Sequence, residues 1–158
     1  VDEHRFDARR AELDAQDRIA RHFLLYELTV SETADRQRIA NRIPDDKVLR
    51  SAVHLARQVL DPMREAFGGF TPNSVFRSQA LERSLKGKPS SWISTSQHPE
   101  GRACDVEIVA KPTLELARWA ATTLADFDQI INTLTQQGDI APADIPSKTK
   151  PAMGYKLS

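Results

Sequence analysis

Residues 96–105 read Ser96-Gln97-His98-Pro99-Glu100-Gly101-Arg102-Ala103-Cys104-Asp105. An imidazole precedes a turn that contains glycine, and a carboxylate follows where a strand is predicted to begin. Because Gly101 permits a tight backbone reversal, His98 and Asp105 can converge as two ligands of one metal ion. The residue types alone leave other interpretations open, since a histidine beside a proline is commonly a loop residue and Asp105 is also an ordinary turn or cap residue.

The residues that follow this turn predict a strand with one buried face. Residues 103–109 read Ala-Cys-Asp-Val-Glu-Ile-Val and alternate in side-chain character over most of their length. Alternation places Asp105 and Glu107 on one face and turns Cys104 toward the core. Cys104 is therefore interpreted as a small buried hydrophobe.

Helical patterns flank this segment on both sides. Residues 48–67 form the best-supported core helix, because an apolar stripe at helical spacing follows Asp45 and Asp46; its members are Val48, Ala52, Leu55, Val59 and Met63. Pro62 is expected to kink this helix, and Gly68-Gly69 ends it. Shorter helices are predicted at residues 34–40, with Thr29 and Glu32 at capping-box spacing, at residues 79–85, and after Pro112.

Two further strands are predicted, at residues 73–77 and 127–133. Since helices lead and strands follow, the sequence predicts an α+β fold in which a small antiparallel sheet packs with helices. Residues 1–21 are dense in both signs of charge and contain neither glycine nor proline. They are interpreted as a charged helical arm before a single domain at residues 22–158, serving either as a solvated face or as a docking element for a partner protein.

Composition excludes several classes of function. The chain has 158 residues, with 22 Lys+Arg and 22 Asp+Glu, and a sequence pI near 7.1. No overall field therefore attracts nucleic acid or an anionic membrane, and neither is expected as a partner. A single cysteine excludes an intrachain disulfide framework and a multi-cysteine zinc site. No apolar run is long enough to span a bilayer, and the first residues lack a secretory-signal pattern.

Residues 96–105 resemble the central motif of the zinc D-Ala-D-Ala carboxypeptidases and phage endolysin peptidases, Ser-x-His-x-x-Gly-x-Ala-x-Asp, at every fixed position. Weaker similarity covers roughly His22 to Ile131, in segments that include Glu27-Leu28-Thr29, Ser31-Glu32-Thr33-Ala34, Leu60-Asp61-Pro62-Met63-Arg64, Phe76-Arg77-Ser78 and Phe127-Asp128-Gln129-Ile130-Ile131. The resemblance implies the hedgehog/DD-peptidase type of α+β fold and zinc as the cofactor.

Carried over by position, the resemblance implies that His98 and Asp105 are zinc ligands. It also places Arg77 beside the substrate, where a guanidinium suits a peptide carboxylate or a developing oxyanion, and Ser96 in the same pocket. A surface salt bridge for Arg77 and a loop-capping hydroxyl for Ser96 remain open as structural alternatives.

The chain departs from the family pattern at two positions. A catalytic zinc needs three protein ligands and a nearby base, which family members complete with a C-terminal His and a Glu just before it. Here no histidine follows His98 and no glutamate follows Glu115. By this resemblance Lys156 corresponds to the third-ligand position, and its ammonium has no lone pair for zinc. His54, on the predicted core helix, is interpreted as structural.

Two functions follow as expectations. The first is a peptidase-fold protein with an incomplete metal site, no zinc, and a structural or cell-wall-binding role as a phage virion component. The alternative is an active zinc D-Ala-D-Ala carboxypeptidase or endolysin-type peptidase. Peptidoglycan peptide is the expected ligand, and other virion proteins are the expected partners of the arm. The expected location is the virion, or the host cytoplasm before assembly, with action at the bacterial cell wall if the protein is active.

Overall fold

Helices supply the regular structure of residues 13–125, 127 and 130, which are the residues that the computed structural model describes. The α-helices are α1 (Glu32–Gln37), α2 (Asp46–Leu55), α3 (Asp61–Phe67), α4 (Gln79–Leu85) and α5 (Thr113–Thr123). A π-helical turn at Ala56–Leu60 joins α2 to α3, and 3₁₀ turns lie at Leu25–Leu28 and His98–Glu100.

The continuous helical segment from α2 to α3 confirms the predicted core helix. Asp45 caps its start by accepting a hydrogen bond from Val48 N at 2.9 Å, and Ala52, Leu55, Val59 and Met63 are buried. Pro62 has no N–H to donate to the carbonyl four residues earlier. The preceding turn widens, and Asp61 N instead donates to Ala56 O, five residues back. The predicted irregularity is therefore a π-helical turn.

The shorter helices begin at side-chain caps. Ser31, and not the predicted Thr29, caps α1 by accepting from Ala34 N, because α1 begins at Glu32, two residues before the predicted start. Ser78 caps α4, which has the predicted bounds, by accepting from Leu81 N. Pro112 directly precedes α5, as predicted.

The prediction of an α+β fold with a packed sheet is wrong for the part of the chain that the structure describes, which is helix-rich and contains no strand or sheet. The two predicted strands at residues 73–77 and 103–109 meet at one antiparallel bridge, between Ser74 and Asp105. Beyond this bridge, backbone N–H groups of the first segment bind other parts of the chain: Phe76 N donates to Leu28 O and Arg77 N donates to His98 O. One paired residue cannot propagate a ladder, and the segments stay extended but unladdered.

Alternation in the second of these segments is only partly as predicted. Cys104, Val106 and Ile108 are buried and Glu107 is exposed, but Asp105 is buried as well. Of the third predicted strand, only Phe127 and Ile130 lie within the described residues, and both are buried.

The first described residues pack into the core. Leu13–Arg21 contain no helix, contrary to the predicted arm, and Ile19 and Ala20 are fully buried. Asp61 anchors this segment by accepting hydrogen bonds from Arg21 N at 2.8 Å and His22 N at 2.9 Å. Residues 1–12 of the predicted arm lie outside the described residues.

The core joins the N-terminal segment to the helices. Its buried members come from the first segment, from α2 through α3, from the extended segments and from α5; they include Ile19, Phe23, Leu55, Leu60, Val75, Val106, Leu116 and Ala120. None of the helices in the described residues has the length and apolar character needed to cross a membrane.

Candidate functional site

His98 lies in the 3₁₀ turn His98–Glu100 with only 2% of its surface exposed. Its Nδ1 is 2.6 Å from Val75 O. A carbonyl oxygen only accepts, so Nδ1 carries the proton of this hydrogen bond, and in the neutral ring Nε2 holds the lone pair. Nε2 is buried and has no hydrogen-bond partner. A carbonyl that fixes the tautomer in this way is the usual outer contact of a histidine that binds metal through its other nitrogen.

Asp105 faces His98 from the second extended segment. Its backbone is held by the bridge to Ser74, with Asp105 N donating to Ser74 O at 2.7 Å and Ser74 N donating to Asp105 O at 3.3 Å. Asp105 as a residue is 8% exposed. Its carboxylate oxygen Oδ1 lies 3.5 Å from His98 Nε2. The structure therefore brings the two predicted metal ligands together.

The spacing of these two atoms fits a zinc ion. Tetrahedral zinc binds histidine nitrogen and carboxylate oxygen at about 2.0–2.2 Å, so two such ligand atoms lie about 3.4 Å apart. The observed separation is 3.5 Å, and the histidine atom that faces the carboxylate is the one with the lone pair. Within the described residues no group of three or more His, Cys, Asp or Glu side chains could hold a metal. The separation of His98 and Asp105 therefore matches that of two ligands of a zinc ion, and the described residues supply no third.

Arg77, predicted to lie beside the substrate, contacts Asp105 of this pair. Its Nη1 is 3.5 Å from Asp105 Oδ2, and its Nε is 2.7 Å from Glu82 Oε1. With 18% of its side chain exposed, Arg77 belongs to a largely buried ion-pair network and not to a surface salt bridge. Nε and Oε1 both lack a hydrogen bond in spite of their closeness, so this contact is an ion pair whose N–H is not aligned with the oxygen.

Glu82 on α4 is a buried carboxylate in contact with Arg77 that the sequence analysis did not single out. It is fully buried, and its Oε2 receives Lys86 Nζ at 2.7 Å and the Ser94 hydroxyl at 2.8 Å. Burial alone would raise the pKa of Glu82. The hydrogen bonds from Lys86 and Ser94, together with the charges of Arg77 and Lys86, outweigh burial and lower that pKa.

The sequence contains only a weak signal for this residue. Glu82 and Lys86 stand at i,i+4 spacing on a predicted helix, which predicts an ordinary surface pair. Nothing in the spacing of Glu82 and Arg77 indicates that the carboxylate is buried between two cations. That arrangement depends on the loop that brings Ser94 back to α4, where Ser94 N donates to Gln79 Oε1.

Ser96 occupies the loop just before His98. Its Oγ accepts a hydrogen bond from His98 N at 3.3 Å, and its N donates to Ser94 Oγ at 3.1 Å. The hydroxyl therefore makes the loop-capping contact that the sequence left as its structural alternative. Through this hydrogen bond Ser96 contacts the backbone of His98, one of the two candidate ligands.

Gly101 allows the turn at His98–Glu100, called the ligand turn from here on, to pack closely against α2. It adopts the left-handed conformation, with φ +66°, and closes the turn by donating from its N to His98 O at 3.0 Å. A Cβ at this position would stand 2.7 Å from Val48 O and 3.1 Å from Ala52 Cβ. Only glycine combines this conformation with this approach.

The other singled-out residues lie apart from the site or outside the described residues. His54 is exposed on α2, so it is a surface histidine. Cys104 is fully buried, as predicted; burial raises the pKa of its thiol, and the charge of Asp105 adds to that effect. Lys156, the predicted third-ligand position, lies outside the described residues.

Comparisons with other proteins identify no relative of this chain. No family model, curated protein or solved structure matches the chain. The functional argument therefore rests on the residues of the site and on the motif resemblance at residues 96–105.

Proposed function

We propose that this protein is a zinc-dependent peptidase acting on D-alanine-containing peptidoglycan peptides, of the carboxypeptidase or endolysin type. One observation carries the proposal: a buried histidine directs its unpartnered Nε2 toward a carboxylate 3.5 Å away. Leaving a buried polar atom unpaired costs about 1–3 kcal/mol. A cation shared between His98 and Asp105 would remove that cost.

The residues take distinct roles under this proposal. His98 and Asp105 hold the zinc, and Val75 O keeps the imidazole in the tautomer that presents Nε2. When bound, zinc acts as a Lewis acid that polarises a peptide carbonyl and activates water. Arg77 binds the peptide carboxylate or stabilises the developing negative charge. By the motif resemblance the third-ligand position corresponds to Lys156, outside the described residues; its ammonium has no lone pair for zinc, so the proposal requires a third ligand and a base from other residues.

A second candidate is a metal-free structural or cell-wall-binding role on the same scaffold, as part of a phage virion. The charge network favours it, because Arg77 lies 2.7 Å from Glu82 and 3.5 Å from Asp105 and so compensates Asp105 without a metal ion. Peptidoglycan peptide is the ligand in both candidates. Both also place the protein in the virion, or in the host cytoplasm before assembly, and then at the cell wall. Docking to other virion proteins is proposed for the predicted arm at residues 1–21, in which Ile19 and Ala20 are buried in the core and Asp14, Ala15 and Gln16 are exposed.

Metal analysis of the purified protein separates the two candidates. The zinc peptidase is expected to carry one zinc per chain, to lose it in His98→Ala and Asp105→Asn, and to keep it in His54→Ala. His54→Ala is the matched control, because it removes an exposed imidazole on α2. The zinc form should also release D-alanine from an acyl-D-Ala-D-Ala peptide. A protein that binds the peptide without zinc and without release would support the structural candidate, and absence of both zinc and peptide binding would refute both.

A further inference from the structure

Glu82 is fully buried beside Arg77, which also faces the candidate ligand Asp105. It lies between two cations, with Arg77 Nε 2.7 Å from Oε1 and Lys86 Nζ 2.7 Å from Oε2. Ser94 adds a hydroxyl hydrogen bond to Oε2 at 2.8 Å. Removing a carboxylate from water is costly and requires compensation by charges and hydrogen bonds. A residue with this much compensation has its geometry fixed from several sides.

The fixed carboxylate of Glu82 in turn restricts the orientation of the Arg77 guanidinium. A free arginine side chain samples many rotamers, and ordering it costs conformational entropy. Here Nε lies 2.7 Å from Glu82 Oε1, although its N–H is not aligned with that oxygen, and Nη1 lies 3.5 Å from Asp105 Oδ2, so two carboxylates hold the guanidinium in place by charge. Neither of these contacts uses Nη2, and 18% of the Arg77 side chain is exposed. A guanidinium held in place is suited to bind a carboxylate through parallel N–H groups.

We infer that Glu82 is a positioning residue. It holds the Arg77 guanidinium in the orientation in which Arg77 binds the terminal carboxylate of a bound peptide. The inference rests on the proposed function for the identity of the peptide. It names a specificity element that acts through Arg77, to which Glu82 is paired at 2.7 Å. Lys86 is the counter-cation of Glu82 and not the group that binds the peptide.

The test compares two acylated D-Ala-D-Ala analogues in which an uncleavable methylene linkage replaces the terminal amide bond, one with a free carboxylate and one with a carboxamide. Their Kd values are measured by calorimetric titration, together with the zinc content of each variant. Wild type should prefer the carboxylate by about tenfold or more, as expected for a charge-assisted hydrogen-bonded pair. Glu82→Gln should lose most of this ratio while its zinc content stays at the wild-type level. A merely structural role would weaken both peptides equally and leave the ratio unchanged.

Two further variants act as controls. Glu100→Gln makes the same charge change on a side chain that is 58% exposed and should keep the wild-type ratio. Lys86→Met should also keep it, whereas a loss equal to that of Glu82→Gln would mean that Lys86 reads the carboxylate. If Glu82→Gln fails to fold, Glu82→Asp supplies the test, since its shorter side chain retreats from Arg77 and should lower the ratio several-fold; an unchanged ratio there would refute the inference.

Failure of the inference and failure of the proposed function give different results. An unchanged carboxylate preference in Glu82→Gln, with zinc present, overturns the role of Glu82 and leaves the zinc peptidase proposal standing. A wild-type protein that lacks zinc but keeps a Glu82-dependent carboxylate preference refutes the zinc peptidase and supports the role of Glu82. Absence of any carboxylate preference in wild type overturns the inference whatever the zinc content.

Discussion

Replacing Gly101 by alanine should destabilise the protein far more than the same replacement at Gly87. Both glycines are in the left-handed region, with φ +66° and φ +60°. An alanine at either position meets the left-handed penalty of about 1–2 kcal/mol and gains about 0.4–1 kcal/mol from a less flexible unfolded chain. These two effects cancel when the variants are compared.

The space around the new methyl group differs between the two sites. At Gly87 nothing lies within 4 Å of the added Cβ, whereas at Gly101 it would stand 2.7 Å from Val48 O. That atom belongs to the backbone of α2 and cannot rotate away, so the ligand turn must move off the helix. Overpacking of this kind costs about 1–3 kcal/mol. Gly101→Ala should therefore lose about 1–3 kcal/mol more than Gly87→Ala.

Urea unfolding followed by far-ultraviolet circular dichroism measures the difference. Under the zinc proposal, Gly101→Ala should also bind zinc more weakly, because Gly101 N donates to His98 O within the turn that carries this candidate ligand. Gly87→Ala should then retain the zinc affinity of the wild type. Equal losses of unfolding free energy in the two variants would refute the packing argument. A Gly101→Ala protein with wild-type zinc affinity would refute the claim that α2 positions the ligand turn.

Three further predictions concern the core and the charge network. Asp61→Ala should lower the free energy of unfolding by about 2–4 kcal/mol, because two backbone donors of the N-terminal segment lose a charged acceptor; Glu65→Ala, which removes a surface ion pair to Arg21, should cost under about 1 kcal/mol. The pKa of Glu82 is lowered in the fold, so the ionised side chain stabilises the folded protein above its unfolded pKa of 4.5, and this stabilisation is lost as the pH falls through the folded pKa. Urea midpoints measured over an acidic pH series should therefore fall less steeply in Glu82→Gln than in wild type. Parallel curves for the two proteins would contradict this. Cys104 has no exposed surface, so a thiol reagent should label it only at the rate of unfolding, and rapid labelling of the native protein would show that the segment opens locally.

Helices were the part of the fold that local sequence could predict. The stripe from Val48 to Met63 repeats at helical spacing for four turns, and α4 has a serine cap at its start, so both were predicted correctly. The start of α1 was misplaced because Thr29 and Ser31 both have a suitable hydroxyl, and only the chain path decides which one reaches a free N–H.

Strands were predicted from side-chain alternation, which reports burial on one face and not pairing. Residues 103–109 are largely buried as such a pattern suggests, yet only Asp105 finds a backbone partner in a bridge. Whether an extended segment joins a ladder depends on distant residues. Here the carbonyls of Leu28 and His98 take the donors of Phe76 and Arg77, which no local pattern reveals.

The candidate ligands were nevertheless predicted correctly as neighbours, because the site needs less than a sheet. Two consecutive residues of the first extended segment hold both of them: Ser74 pairs with the backbone of Asp105, and Val75 O fixes the ring of His98 at 2.6 Å. A single bridge and a single side-chain hydrogen bond are enough to set the distance from Nε2 to the carboxylate. The wrong fold class is therefore compatible with the closeness of His98 and Asp105, since the motif specifies a local turn and the sheet would only have extended it.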